Sequence, residues 1–181
     1  MDNKTKIIQM LKMTDRTGID DLIAWMDENG FFDAPCSSKY HLAKPGGLAE
    51  HSLNVYRAAL DIAKTLYMEK TTFDFIDSII ICSLLHDLGK AGQFGKPAYI
   101  ENEDPANGAY RSNKELLYVP HEVRSVAIAS RFIELTEEEQ FAICYHNGLY
   151  AELTSFKGNE TPLLLILHFA DMWAARVIEK E

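Results

Sequence analysis

An all-α bundle of about six to eight helices is predicted by three features of the sequence. Apolar residues recur at three- and four-residue spacing along most of the chain, and capping and terminating residues punctuate that spacing. A single region, 91–119, breaks it. With 181 residues and 47% hydrophobic content, the chain is sized for one domain, 1–181, with a substantial core.

The elements follow in order. Ile19, Leu22, Ile23 and Met26 lie on one helical face, and Gly30 sits where a terminating glycine belongs. Leu48, Val55, Ala59, Ile62 and Leu66 form the stripe of a long helix over about 47–67. The next helix runs over about 72–88, opens with threonine capping chemistry and stops at Gly89. Pro120 suits the first turn of a helix that reaches about Ile133. Thr136 and Glu139 fit a capping box for a helix ending at Asn147-Gly148. Thr161-Pro162 start the last helix, apolar through 163–167 and polar by Glu179.

Region 91–119 carries glycines, prolines and polar residues without a sustained apolar period. It reads as a long loop containing a short hairpin, in which Pro97-Ala98-Tyr99-Ile100 pairs with the segment near Tyr110 or with Leu117-Tyr118. Loops of this length inside a compact domain are often lids or binding elements.

Bulk properties exclude several classes. No apolar run approaches the roughly 18–20 residues of a membrane span, and the N-terminus lacks the pattern of a signal peptide. Cys36, Cys82 and Cys144 are widely separated and form no CxxC pair, so they read as reduced core or near-core residues of a cytoplasmic protein. A net charge of −9 argues against a large surface that tracks nucleic-acid phosphates, but not against a small anionic substrate.

The most informative local feature is the doublet His86-Asp87 within ICSLLHDLGK. Ile79, Ile80, Ile81, Leu84, Leu85 and Leu88 mark the stretch as buried, and a buried imidazole and carboxylate are costly unless paired or coordinated. The helical map brings partners. His51 lies near the start of one helix, His121 near the start of another and His146 at the end of a third; Asp171 is mid-way along the last. In an antiparallel bundle these ends can converge, and bundles build metal sites from facing helices. A mixed His/Asp set suits manganese, iron, cobalt or zinc, with magnesium as a further option. His41 reads instead as a cap or satisfied surface group, and His168 either as a buried, hydrogen-bonded residue or as one supporting the ligands.

The blocks GGLAEHSLNV, LLHDLGK, PHEVRSV, CYHNG and LHFADMWAA, in this order, resemble the HD-domain metal-dependent phosphohydrolase superfamily over about 46–175. The first block is most similar to the catalytic domains of bacterial HD-type 3′→5′ exoribonucleases. The resemblance implies an HD-type helical bundle. It implies His51, His86, Asp87 and Asp171 as ligands of one ion, with Asp87 bridging to a second ion held by His121 and His146.

It also implies phosphate-ester hydrolysis, in which ions polarise phosphoryl oxygens and lower the pKa of a water that attacks phosphorus. Asp87 and Lys90 are the catalytic candidates. Lys90 stands three residues after Asp87, on a shared face if the helix continues, and reads either as a phosphate-binding ammonium or as a surface lysine at a helix end. Asn54 and Arg124 are further substrate-binding candidates; Arg57, Arg111 and Arg124 are each phosphate clamps or ordinary surface cations. GKAGQFGKP is rejected as a P-loop. Five residues separate Gly89 from Gly95 where four are required, and Pro97 replaces the Ser/Thr. It reads as a flexible connection.

The expected substrate is a nucleotide, a cyclic or linear dinucleotide or a short single-stranded oligonucleotide, with no membrane partner. Specificity falls to the loop and to Tyr99, Tyr110, Tyr118 and Tyr150. Two alternatives stand: a di-iron oxygenase on the same six ligands, and a non-catalytic nucleotide-binding HD module.

Overall fold

In the computed structural model of the chain, the residues described are 1–148 and 158–180. Seven α-helices follow among them: α1 (Asn3–Met13), α2 (Ile19–Glu28), α3 (Gly47–Ile62), α4 (Phe73–Leu85), α5 (His121–Ala129), α6 (Glu137–Tyr145) and α7 (Pro162–Trp173). α3 is the central helix and packs most extensively on α4 and α7, while α6 bridges α5 and α7. The core explains the order. Ile79 to Leu85 of α4 are all buried, so the second half of this helix is enclosed on every side and lies inside.

The capping chemistry is where the sequence places it. Thr72 Oγ1 accepts from Phe75 N, Thr161 Oγ1 accepts from Leu164 N with Pro162 at the helix start, and Thr136 and Glu139 close a reciprocal capping box. Glu139 does more than cap. Its carboxylate accepts from both terminal nitrogens of Arg16 and from Ser78 Oγ, tying the turn after α1 to α4 and α6.

Several boundaries differ from the sequence reading. α1 is absent from that reading although Asp2 caps it and Ile7 and Leu11 bury one face. Pro120 is the residue before α5, extended at φ −47°, ψ 133°, rather than within its first turn. α3 stops at Ile62 and widens into a π turn, Ala63–Tyr67. α4 does not continue through Lys90: His86 closes it, Asp87 sits at φ −103°, ψ 12°, and Leu88–Ala91 form a 3₁₀ turn.

Two small antiparallel hairpins make "all-α" approximate. β1 (Gly92–Gln93) pairs β2 (Lys96–Pro97), and β3 (Tyr99–Glu101) pairs β4 (Tyr110–Ser112) in the register Tyr99↔Ser112, Ile100↔Arg111, Glu101↔Tyr110. Of the two expected pairings the Tyr110 alternative is the one formed. The stretch taken for a flexible connection is a tight hairpin, with Phe94 at φ +58° and Gly95 at φ +71°, the left-handed pair that a two-residue turn requires. Among the described residues no helix is long and apolar enough to cross a membrane. The three cysteines are free, Cys36 and Cys82 buried and Cys144 partly so.

Candidate metal centre

Asp87 lies at the middle of the histidine cluster because the helix ends one residue before it. Leaving α-helical geometry turns its carboxylate into the bundle, where it is 1% exposed. The two oxygens face different partners. Oδ2 is 3.6 Å from His51 Nε2 and 3.4 Å from His86 Nε2. Oδ1 is 3.2 Å from His121 Nε2 and 3.7 Å from His146 Nε2. Asp171 joins the first group, its Oδ1 3.1 Å from His51 Nε2. All six residues expected from the sequence therefore meet at one place.

Three of the four rings are aimed by hydrogen bonds at their other nitrogens. His86 Nδ1 is 2.9 Å from Ser83 O, and His146 Nδ1 is 2.8 Å from Ile143 O, each a carbonyl one turn back on its own helix. His51 Nδ1 is 3.0 Å from Glu179 Oε1, and His121 Nδ1 is 3.1 Å from Glu122 Oε2. In His51, His86 and His146 the acceptor at Nδ1 holds a proton there and directs Nε2 into the cluster, whereas Glu122 Oε2 is an ion-pair neighbour of His121 that makes no hydrogen bond.

Nε2 of His51, His86 and His121, together with Asp87 Oδ1, are buried and make no hydrogen bond. Four orphaned polar atoms in one pocket are costly in a folded protein. His51, His86 and Asp171 form one set of donor atoms within 4.8 Å of one another, and His86, Asp87 and His146 form another; such sets resolve that cost by holding a divalent cation. The residues fit the group.

The carboxylates are held ionised, and His51 is drawn toward its charged form: burial opposes that charge, but Asp171 and Glu179 raise its pKa well above the ordinary value, so a cation at Nε2 takes the place of a proton. Burial opposes charge on Asp87, but Lys90 and the surrounding imidazoles outweigh it and hold the carboxyl well below its usual range. Burial pushes the His146 imidazole down to about 3, so that ring is a neutral donor. Burial also works against the Asp171 carboxyl, yet its contact with His51 leaves it far below the ordinary value.

The remaining residues singled out by sequence divide clearly. Lys90 is at the centre: its Nζ is 2.6 Å from Asp87 Oδ2, an i,i+3 contact that the 3₁₀ turn preserves. Asn54 is behind His51 and donates to Glu179 Oε1 at 3.0 Å; it is not among the residues lining the cavity at the cluster. Arg124 is buried, and its guanidinium donates to Gln93 Oε1 and Leu117 O, anchoring the hairpin region to α5. Arg57 is exposed, and Arg111 faces Glu103. His168 is hydrogen-bonded at Nδ1 to His146 O at 2.9 Å, the supporting one of its two expected places.

Tyr99 and Tyr118 line a cavity of about 260 Å³ with Lys90, His121 and Arg124. Tyr110 lines a different one, and Tyr150 falls outside the described residues.

His41 is a correction. It sits at no helix end; its ring packs 5.1 Å from that of His51, and its Nε2 is in hydrogen-bond contact with Cys36 Sγ at 3.3 Å. Burial pushes the Cys36 thiol up to about 11, so it is neutral at pH 7. Glu179 and Arg176, which the sequence reading did not single out, also reach the site from the turn after α7. A cavity of about 470 Å³ opens onto the cluster between Tyr40, Lys90, His146, Asp171 and Arg176, and Arg176 also walls an adjoining cavity of about 600 Å³. A carboxylate eight residues after Asp171 carries no signal by regular helical spacing, because only an irregular turn brings it to the same face.

The HD-domain family model matches residues 48–175. No curated protein and no solved structure matches the chain.

Proposed function

The chain belongs to the HD-domain family, and from that premise we propose that it is a two-ion phosphohydrolase acting on a nucleotide, dinucleotide or short oligonucleotide phosphate ester. The observation that carries the two-ion reading is the division of Asp87: one oxygen faces His51 and His86, the other His121 and His146. When bound, divalent ions supply Lewis acidity and bring the pKa of a water close to neutrality.

The chain's own residues do the rest. Lys90 holds its ammonium against Asp87, and in this reading that ammonium hydrogen-bonds a phosphoryl oxygen when substrate binds. Arg176 offers a second cation at the mouth, and Tyr40, 73% exposed, offers a face on which a base can stack. The cavity of about 470 Å³ is on the scale of a small-molecule site, and the net charge of −9 weighs against a long polymer.

The test is metal analysis of the purified protein followed by a panel of phosphate mono- and diesters with manganese, cobalt and magnesium. Hydrolysis lost in Asp87→Ala supports the reading; no hydrolysis by the wild type, or equal hydrolysis by Asp87→Ala, overturns it. Dioxygen-dependent turnover with coupled iron would assign the same ligands to an oxygenase. Nucleotide binding unchanged in Asp87→Ala, with no metal in the wild type, would leave a binding module.

A further inference from the structure

The last helix reaches His51 twice. Asp171, on α7, contacts Nε2 at 3.1 Å. Glu179, beyond the end of α7, contacts Nδ1 with both carboxylate oxygens at 3.0 Å. In an uninterrupted α-helix residues eight apart are offset by about 80° around the axis, whereas residues seven apart share a face. Here Ala174–Ile178 form a π turn, closed by Glu179 N donating to Ala174 O at 2.9 Å. The turn absorbs one residue, so Glu179 falls where the seventh residue after Asp171 would otherwise lie. π turns inside helices often occur at functional sites.

Glu179 is itself held in place. Its side chain is 1% exposed, and Oε1 also accepts from Asn54 Nδ2 at 3.0 Å, one turn along α3 from His51. His41 Nε2 lies 3.9 Å from Oε2 on the open side. Both oxygens of this buried carboxylate hydrogen-bond to the His51 ring, while His41 stays beyond hydrogen-bond reach.

We propose that Glu179 is a positioning residue for the metal centre: it holds the proton of His51 on Nδ1, aims Nε2 at the cation, and raises the basicity of that ligand. The inference rests on the reading of His51 as a ligand. Of the three ring orienters it is the most separated in sequence from the histidine it serves, whereas His86 and His146 use carbonyls of their own helices. The His51 ligand is consequently set by the C-terminal turn, and the function of that turn is to close the site. Loss of an orienting partner of this kind weakens metal binding by about 10- to 100-fold.

The experiment uses the full chain and compares wild type, Glu179→Gln, Glu179→Ala and His51→Ala. Zinc and manganese affinities are measured by competition calorimetry, with thermal melts to verify folding. The ring nitrogens of His51 are followed by ¹⁵N NMR in the zinc-loaded protein.

The expected result is a loss of about 10- to 100-fold in metal affinity for Glu179→Ala. A smaller loss is expected for Glu179→Gln, which keeps an acceptor but not the charge. In both, the Nδ1 resonance should move while the Nε2–zinc signature persists. Wild-type affinity in a folded Glu179→Ala, beside clear loss in His51→Ala, overturns the assignment of Glu179 alone. No metal binding by the wild type overturns it together with the metal reading. A Glu179→Ala protein that fails to fold passes the decision to Glu179→Gln, in which an unmoved Nδ1 resonance and unchanged affinity count against the proposal.

Discussion

Lys90 Nζ is 2.6 Å from Asp87 Oδ2, the carboxylate oxygen that also faces His51 and His86. Burial opposes the charge on Lys90, but the Asp87 carboxylate raises its pKa above the ordinary lysine range, so the ammonium persists. The same cation that satisfies Asp87 therefore competes with a metal for it. Lys90→Met is expected to bind manganese or cobalt severalfold more tightly while kcat/KM for a phosphate ester falls at least about tenfold, because the phosphate loses its ammonium. Metal competition titrations and steady-state kinetics check both halves; weaker metal binding in Lys90→Met would contradict the competition.

The division of Asp87 predicts that the two groups of ligands separate by mutation. His121→Ala should lower bound metal from two equivalents to about one and reduce turnover by about 100-fold or more, since the second group then keeps only His146 and Asp87 Oδ1. Elemental analysis of the dialysed variant measures this. Retention of two equivalents would refute the partition.

Gly89 carries the approach of α5 to the doublet. Its N–H donates to Ser125 Oγ, which in turn donates to His121 O, and a Cβ at Gly89 would lie 2.3 Å from that carbonyl and 2.9 Å from Arg124 Cβ. Gly89→Ala should cost about 1–3 kcal/mol through overpacking and displace His121. Chemical denaturation gives the first quantity and metal content the second; a neutral substitution would show that α5 yields freely.

The Arg16–Glu139 pair predicts an acid-sensitive fold. Burial pushes the Glu139 carboxyl up, but Arg16, the Thr136 amide and Ser78 together hold it below its ordinary value. A carboxylate depressed in this way stabilises the fold above its unfolded pKa of about 4.3, and that contribution fades as pH falls through the lower folded value. Arg16→Ala should cost about 3 kcal/mol at pH 7, because Glu139 is left buried without its cation. The gap in Tm between wild type and Arg16→Ala should narrow below pH 4; a gap independent of pH would assign the loss to packing.

Arg176 is at the wall shared by two cavities. Arg176→Ala should raise KM for a nucleotide ester by about tenfold with little change in kcat, as expected when uniform ground-state binding is removed. A fall in kcat at constant KM would place Arg176 in the chemistry instead.

Much of the site was legible because its ligands stand at helix starts and ends, and helix ends carry strong local signals. Thr72, Thr136 and Thr161 cap α4, α6 and α7, and those helices present His86, His146 and Asp171. His41 and Glu179 were misjudged or missed for the opposite reason. His41 lies in an irregular stretch whose path is set by contacts such as Cys36 N to Leu42 O, and Glu179 depends on a π turn that no periodicity announces.

By itself the sequence determined the helical class, most capped boundaries and the identity of the six residues, Asp87 among them, that meet at the site, because spacing and capping are local physics. Tertiary structure alone decided which oxygen of Asp87 faces which histidine, that Lys90 lies on that carboxylate, and that Glu179 stands behind His51. Those relations depend on the end of α4 at His86 and the widened turn after α7, where burial and hydrogen bonding across the bundle outweigh the preferences of neighbouring residues.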